Sequence, residues 1–284
     1  MTSTYLNPSG YLFSLLSHQN SFKKVLNMSK RIPIVVANWK LNGGIDLLCA
    51  SVAAFIGKHF STKIVICPPY IYMRDMLNFL QHSEIIVGSQ NVSKFGSGAY
   101  TGETSAQMLK DIGAGLCLIG HSERRQIFNE NDVSCQIKVN QALTSGLLPV
   151  LCIGENTLQR ETSITNDVLF KQLHDALAGT DINDKEICIA YEPVWAIGTG
   201  QAASPEDAQA VHKFIRHELC VIYGAELANK IHILYGGSVN KNNASDLMNQ
   251  EDIDGLLVGG ASLDPSHFIE ICQQAETLAS KIEG

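Results

Sequence analysis

Eight short apolar runs punctuate this sequence, and their spacing constrains the fold more than any other feature. They span residues 34–38, 63–67, 85–89, 116–119, 148–153, 187–191, 231–235 and 255–258. Each is apolar almost throughout rather than alternating, which marks strands buried on both faces. The longer segments between them carry helical period and helix signals. Ser204-Pro205-Glu206-Asp207 supplies an N-cap, a proline at the first helical position and an acidic first turn. Ala208, Val211, Ile215, Leu219 and Ile222 then form one stripe, and Gly224 stops the helix. Asp264-Pro265 opens the last helix in the same way.

Strand–helix alternation implies a parallel sheet with right-handed crossovers. A chain of 284 residues could hold two domains, but eight such units fill one (β/α)8 barrel of about 250 residues. The rival is a doubly wound open sheet with a nucleotide loop after its first strand; that place holds Asn38-Trp39-Lys40-Leu41-Asn42 instead. The expected organisation is therefore an α/β chain with one barrel domain, residues 29–284, behind an extension, residues 1–28. That extension is rich in Ser, Asn and Leu. Its only basic residues, Lys23 and Lys24, follow its apolar patch rather than precede it, and it has no Arg. Neither a secretory signal nor a transit peptide reads this way. Three readings remain, a disordered extension, an over-called start with initiation at Met28, or an atypical address, and the first two are the expectation.

The chain carries 21 basic against 28 acidic residues, a net charge of −7. With Lys23 and Lys24 set apart, the body holds 19 against 28, a net −9. Nucleic-acid binding, which depends on neutralising phosphates, is disfavoured, and a nucleic-acid partner is not expected. No apolar stretch approaches the ~18 residues of a membrane span, so no membrane partner is expected. Eight cysteines have no pair closer than 17 positions, so no C-x-x-C or zinc-ribbon spacing exists and no metal site is expected. Most lie in apolar runs as buried thiols, which suits a reducing, cytoplasmic compartment.

In a barrel of this type the chemistry belongs at the C-terminal ends of the strands. The first run ends in Asn38 and Lys40, the fourth in Gly120-His121-Ser122-Glu123, the sixth in Tyr191-Glu192-Pro193. A helix start just after His121 should disfavour its imidazolium, and a neutral ring can donate to a substrate oxygen. Pro193 pushes Glu192 towards extended backbone, which aims a carboxylate at the barrel mouth. An apolar loop, Val194-Trp195-Ala196-Ile197-Gly198-Thr199-Gly200, follows and reads as a lid that sheds water. Gly198-x-Gly200-x-x-Ala203 also matches a dinucleotide fingerprint, but its first glycine stands too far from the strand end and the acidic partner is misplaced. Gly236-Gly237 and Gly259-Gly260 end the last two runs, where backbone N–H groups can cradle phosphate.

Five stretches in unbroken order resemble the triosephosphate isomerase family: Asn38–Asn42, Gly120–Arg125, Ala190–Gly200, Tyr235–Val239 and Gly255–Gly260. The resemblance runs from about Arg31 to Ile282. It implies a single-domain TIM barrel that interconverts dihydroxyacetone phosphate and glyceraldehyde 3-phosphate through an enediol, in glycolysis and gluconeogenesis. It further implies Glu192 as the base, neutral His121 as the electrophile, Lys40 as positive charge and Asn38 as an oxygen-holding group. Glu123 would support Lys40. Gly198, Ser238, Gly259 and Gly260 would bind phosphate through their N–H groups, under a lid over residues 193–203. No metal or organic cofactor is implied. The family is generally homodimeric, and residues 96–103 resemble the loop that enters a neighbouring subunit, with Gln90 and Thr101 at that contact. Two departures stand out: the extension, and a trailing hinge of Gln201-Ala202-Ala203, where the family often begins with Lys. A sugar-phosphate epimerase would share the glycine pairs but lack this lid and the Asn38/Lys40 pair. A catalytically inactive barrel kept as a binding or surface protein should have lost Lys40, His121 or Glu192, and all three are present.

Overall fold

The computed structural model describes residues 31–183, 185–197 and 202–283. The extension over residues 1–28 lies outside the described residues, as do Gly198, Thr199 and Gly200 of the expected lid. Eight parallel strands close into a barrel in sequence order. They are β1 (Ile34–Asn38), β2 (Lys63–Cys67), β3 (Ile86–Ser89), β4 (Leu116–Ile119), β5 (Leu148–Ile153), β6 (Cys188–Tyr191), β7 (His232–Tyr235) and β8 (Gly255–Val258). Three start one residue later than the apolar runs suggest, since Ile85, Ile187 and Ile231 are buried ahead of the first ladder bond. The barrel closes where Ile34 of β1 pairs with Gly255 of β8 and Ala37 with Val258.

Two cores explain why the strand runs are apolar on both faces. Ile34, Val36, Val65, Leu116, Val150 and Leu234 pack inside the barrel with Cys67, Cys152 and Cys188. Their strand neighbours Val35, Ala37, Ile64, Ile66, Ile119 and Ile189 face outward and pack with the helices. The helix Pro205–Tyr223 is built as its sequence predicts: the Ser204 hydroxyl accepts from the Asp207 N–H, and Gly224 ends it at φ +81°. Ala208, Val211, Ile215 and Leu219 are buried beneath it. That stripe also buries His212, Arg216 and Glu218, which apolar period does not reveal.

All eight cysteines are free thiols. Six are buried, while Cys49 is exposed and Cys220 half-buried. Among the described residues, no helix is long and apolar enough to cross a membrane. Nor does any group of three or more His, Cys, Asp or Glu side chains lie where it could hold a metal ion.

Candidate active site

The strand ends converge on a cavity of about 280 Å³ at the C-terminal mouth, lined by Asn38, Lys40, His121 and Glu192 on one side. Glu192 follows the last residue of β6, and its N–H donates to the Ile153 carbonyl at 2.7 Å. Its side chain is only 2% exposed. One carboxylate oxygen lies 2.9 Å from His121 Nε2, and the other accepts from the Ser122 N–H at 2.8 Å. Burial alone would raise the Glu192 pKa; the His121 ring, the Ser122 N–H and the Lys40 charge outweigh it and hold the carboxyl below its ordinary value. The group is thus a buried carboxylate held towards its ionised form.

His121 caps the short helix Ser122–Ile127, and its Nδ1 accepts from the Glu123 N–H at 3.3 Å. That bond needs a lone pair on Nδ1, so the neutral ring makes it and the imidazolium loses it. Burial also favours the neutral form. Glu192 pulls the other way, by charge and by hydrogen bond, and the net effect raises the His121 pKa above its ordinary value. This corrects the expectation drawn from the helix end alone. The opposing carboxylate arrives from another strand, and it prevails.

Lys40 stands on a turn after β1 with φ +54°, a left-handed conformation costly for a side chain with a Cβ. Three contacts hold it there. Asn38 Oδ1 accepts from the Lys40 N–H at 3.1 Å, the Gln90 amide donates to the Lys40 carbonyl at 2.9 Å, and Lys40 Nζ meets Glu123 Oε1 at 2.8 Å. Gln90 also donates to the Cys67 carbonyl at 3.0 Å, so its amide serves this chain's own turn, a role its sequence position does not disclose. Asn38 is itself buried.

The far wall carries Gly236, Gly237, Ser238, Gly259 and Gly260. A Cβ at Gly236 would come within 3.0 Å of Glu192 Cγ, so the glycine leaves room for the base. Ser238 Oγ donates to the Ala196 carbonyl at 2.6 Å, joining this wall to the lid segment. The lid begins after Pro193 as a 3-10 turn, Val194–Ala196, and Ile197 also lines the cavity.

Glu155 and Arg160, outside the strand-end motifs, hold the segment that follows Pro193. Glu155 is fully buried, and its Oε1 accepts from Tyr191 OH at 3.0 Å and from Trp195 Nε1 at 2.8 Å. Burial raises its pKa despite these donors. The Arg160 guanidinium lies 4.5 Å over the Trp195 ring. At the trailing side the Ala203 N–H donates to Tyr235 OH at 3.1 Å. Tyr191 and Tyr235 read in sequence as strand apolars; their hydroxyls were the missed signal.

Thr101 is exposed on the loop after β3. Nearby, Phe95 and Tyr100 stack with ring centroids 3.6 Å apart, and Phe95 is half-buried. Met108, 55% exposed, lines a small hollow with Phe95 and Tyr100, and Leu41 is 97% exposed.

The family model described as triosephosphate isomerase matches residues 33–275. A protein of Acidithiobacillus ferrooxidans named triosephosphate isomerase is 47% identical over 253 residues, covering 87% of this chain and 98% of its own length. One of Nitrosococcus oceani with the same name is 44% identical over 250 residues, covering 86% and 99%. Another, of Hydrogenovibrio crunogenus, is 46% identical over 246 residues, covering 85% and 97%.

Proposed function

The chain belongs to the triosephosphate isomerase family, and on that premise we propose that its barrel mouth interconverts dihydroxyacetone phosphate and D-glyceraldehyde 3-phosphate by proton transfer. The observation that carries this reading is the buried, ionised Glu192 beside His121 at 2.9 Å, facing a cavity that also holds Lys40. Glu192 removes a proton from one substrate carbon and returns it to the other. To reach carbon it exchanges His121 and the Ser122 N–H for the substrate.

That exchange resets His121. Glu192 is the largest of the groups that raise its pKa, ahead of Glu123, so once Glu192 turns away, burial, the Lys40 charge and the helix N–H at Nδ1 favour the neutral ring. A neutral Nε2–H then polarises the carbonyl and shuttles protons between the two oxygens. Lys40 offsets the charge of substrate and enediolate, and Asn38 orients the oxygens. Glu123 fixes the Lys40 ammonium by its ion pair. The phosphate is held by the N–H groups of Gly198, Ser238, Gly259 and Gly260, and closure of residues 193–203 keeps water from the enediol. The steps move protons alone and call for no metal or organic cofactor.

The active species is a homodimer in this proposal. The loop carrying Thr101 and the exposed Leu41 and Met108 are the surface a second copy would cover. The free thiols suit a cytoplasmic enzyme of glycolysis and gluconeogenesis. No observation favours the inactive-barrel alternative.

A coupled assay on glyceraldehyde 3-phosphate tests the reading, run on the full chain and on a chain beginning at Met28. Turnover by both is expected. Absence of turnover in both would overturn the proposal, and light scattering of the same samples reports the dimer.

A further inference from the structure

Glycine 154 stands one residue beyond β5, in a place that admits no side chain. A Cβ there would lie 1.8 Å from the Glu192 carbonyl oxygen and 2.7 Å from its carbonyl carbon. The neighbouring Ile153 carbonyl accepts the Glu192 N–H at 2.7 Å. Both backbone groups of Glu192 therefore rest on the end of β5, and wherever that end moves, the base moves with it.

One side of this end is not packed. A cavity of about 170 Å³ opens there, walled by Gly154, Glu192, Val194, Arg125 and Gln172. One amide serves both backbone groups of Gly154 at its edge. Gln172, on the helix Thr165–Leu177, accepts from the Gly154 N–H at 2.8 Å through Oε1 and donates to the Gly154 carbonyl at 3.2 Å through Nε2. Carboxamide is the neutral side-chain group that can serve an N–H and a C=O of one residue at once. Gly154 is partly buried, so loss of the amide leaves two peptide groups underserved beside space into which the strand end can shift.

We infer that Gln172 is a positioning residue for Glu192: by clasping both backbone groups of Gly154, it fixes the β5 end on which the base is seated. It touches no substrate and acts through Gly154. The inference rests on Glu192 being the base of the proposed isomerase. Proton transfer to and from carbon is sensitive to placement, and a displacement of about 1 Å costs up to about a hundredfold.

The test uses the full chain with two substitutions. Q172M fills the same volume without either hydrogen bond; kcat should fall roughly 10- to 100-fold while KM stays within about twofold. Q172E keeps the acceptor and loses the donor while ionised, then regains it on protonation. Its kcat relative to the unaltered chain should therefore climb as pH falls from about 6 to about 4, the window in which a carboxyl takes up its proton, a readout that a merely structural role would not move. Q172E is also read where Q172M does not accumulate. A lowered melting temperature with unchanged kcat in Q172M, or a pH-independent ratio in Q172E, would overturn the inference while leaving the isomerase reading intact. No turnover by the unaltered chain would overturn the isomerase reading and, with it, this one.

Discussion

The two ends of the barrel bury charge in different ways. At the N-terminal end, Asp254 precedes β8, and Arg31 Nε binds one of its oxygens at 2.7 Å. Its other oxygen takes Arg216 Nη2 and the Ile233 N–H. Arg216 also donates to the Ala228 and Ile231 carbonyls, and Asp252 is bound by Arg216 and Gln209. Each partner is backbone or a side chain that does not line the cavity at the mouth. At the C-terminal end, each Glu192 oxygen has one hydrogen-bond partner, His121 or the Ser122 N–H; His121 lines the cavity at the mouth and Ser122 the smaller one beside the β5 end. Buried ions are costly wherever they sit. Saturated, they serve the fold; given partners that a substrate can replace, they serve chemistry.

Breaking the upper pair gives the largest effect. Glu192→Gln keeps the shape and removes the base, so kcat should fall by at least about 10²-fold and as far as 10⁴-fold in the coupled assay. A variant retaining most of its turnover would remove Glu192 from the role of base. Breaking the lower network should act on stability instead. Arg216→Met removes the guanidinium shared by Asp252 and Asp254 and should cost about 3–5 kcal/mol in urea unfolding, with kcat of the folded protein unchanged. A fall in kcat beyond the loss of folded protein would erase the distinction between the two ends.

A third, smaller effect sharpens the lower end. His212 Nδ1 lies 3.1 Å from the Asp252 carbonyl, and burial depresses its imidazole to about 4. The unfolded chain takes up that proton near 6.5. The contribution is therefore complete above about pH 6.5 and lost as pH falls towards 4, amounting to about 3 kcal/mol. His212→Asn keeps a donor and should flatten the pH dependence of the unfolding midpoint across that window; an unchanged slope would contradict it. The finest test returns to the mouth. The His121 ring should titrate above its ordinary value in the parent and lower in Glu192→Gln, read by nitrogen NMR of the imidazole. Identical titration in both proteins would show that Glu192 does not govern it.

The barrel was legible because strands buried on both faces leave uninterrupted apolar runs, and Asn38, Lys40, His121 and Glu192 stood out as polar residues closing those runs. Gln172 and Glu155 were not legible, nor was the bond of Gln90 to the Lys40 turn. Each acts through a strand end distant in sequence, by bonds to backbone or to the polar tip of an aromatic residue, and no local pattern announces such a bond. The direction of the His121 shift failed for a related reason: the helix end is local and readable, whereas the carboxylate that overrides it arrives from β6. Arg216 lay hidden on a helix face whose apolar stripe suffices to explain it.

The division between the two ends is tested most directly by the unfolding free energy of Glu192→Gln. The amide still offers an oxygen to the Ser122 N–H and relieves the burial of a charge, so stability should stay within about 1 kcal/mol of the parent or rise. A loss of about 3–5 kcal/mol, the size expected for Arg216→Met, would show that the upper pair holds the fold together as the lower network does, and would contradict the account.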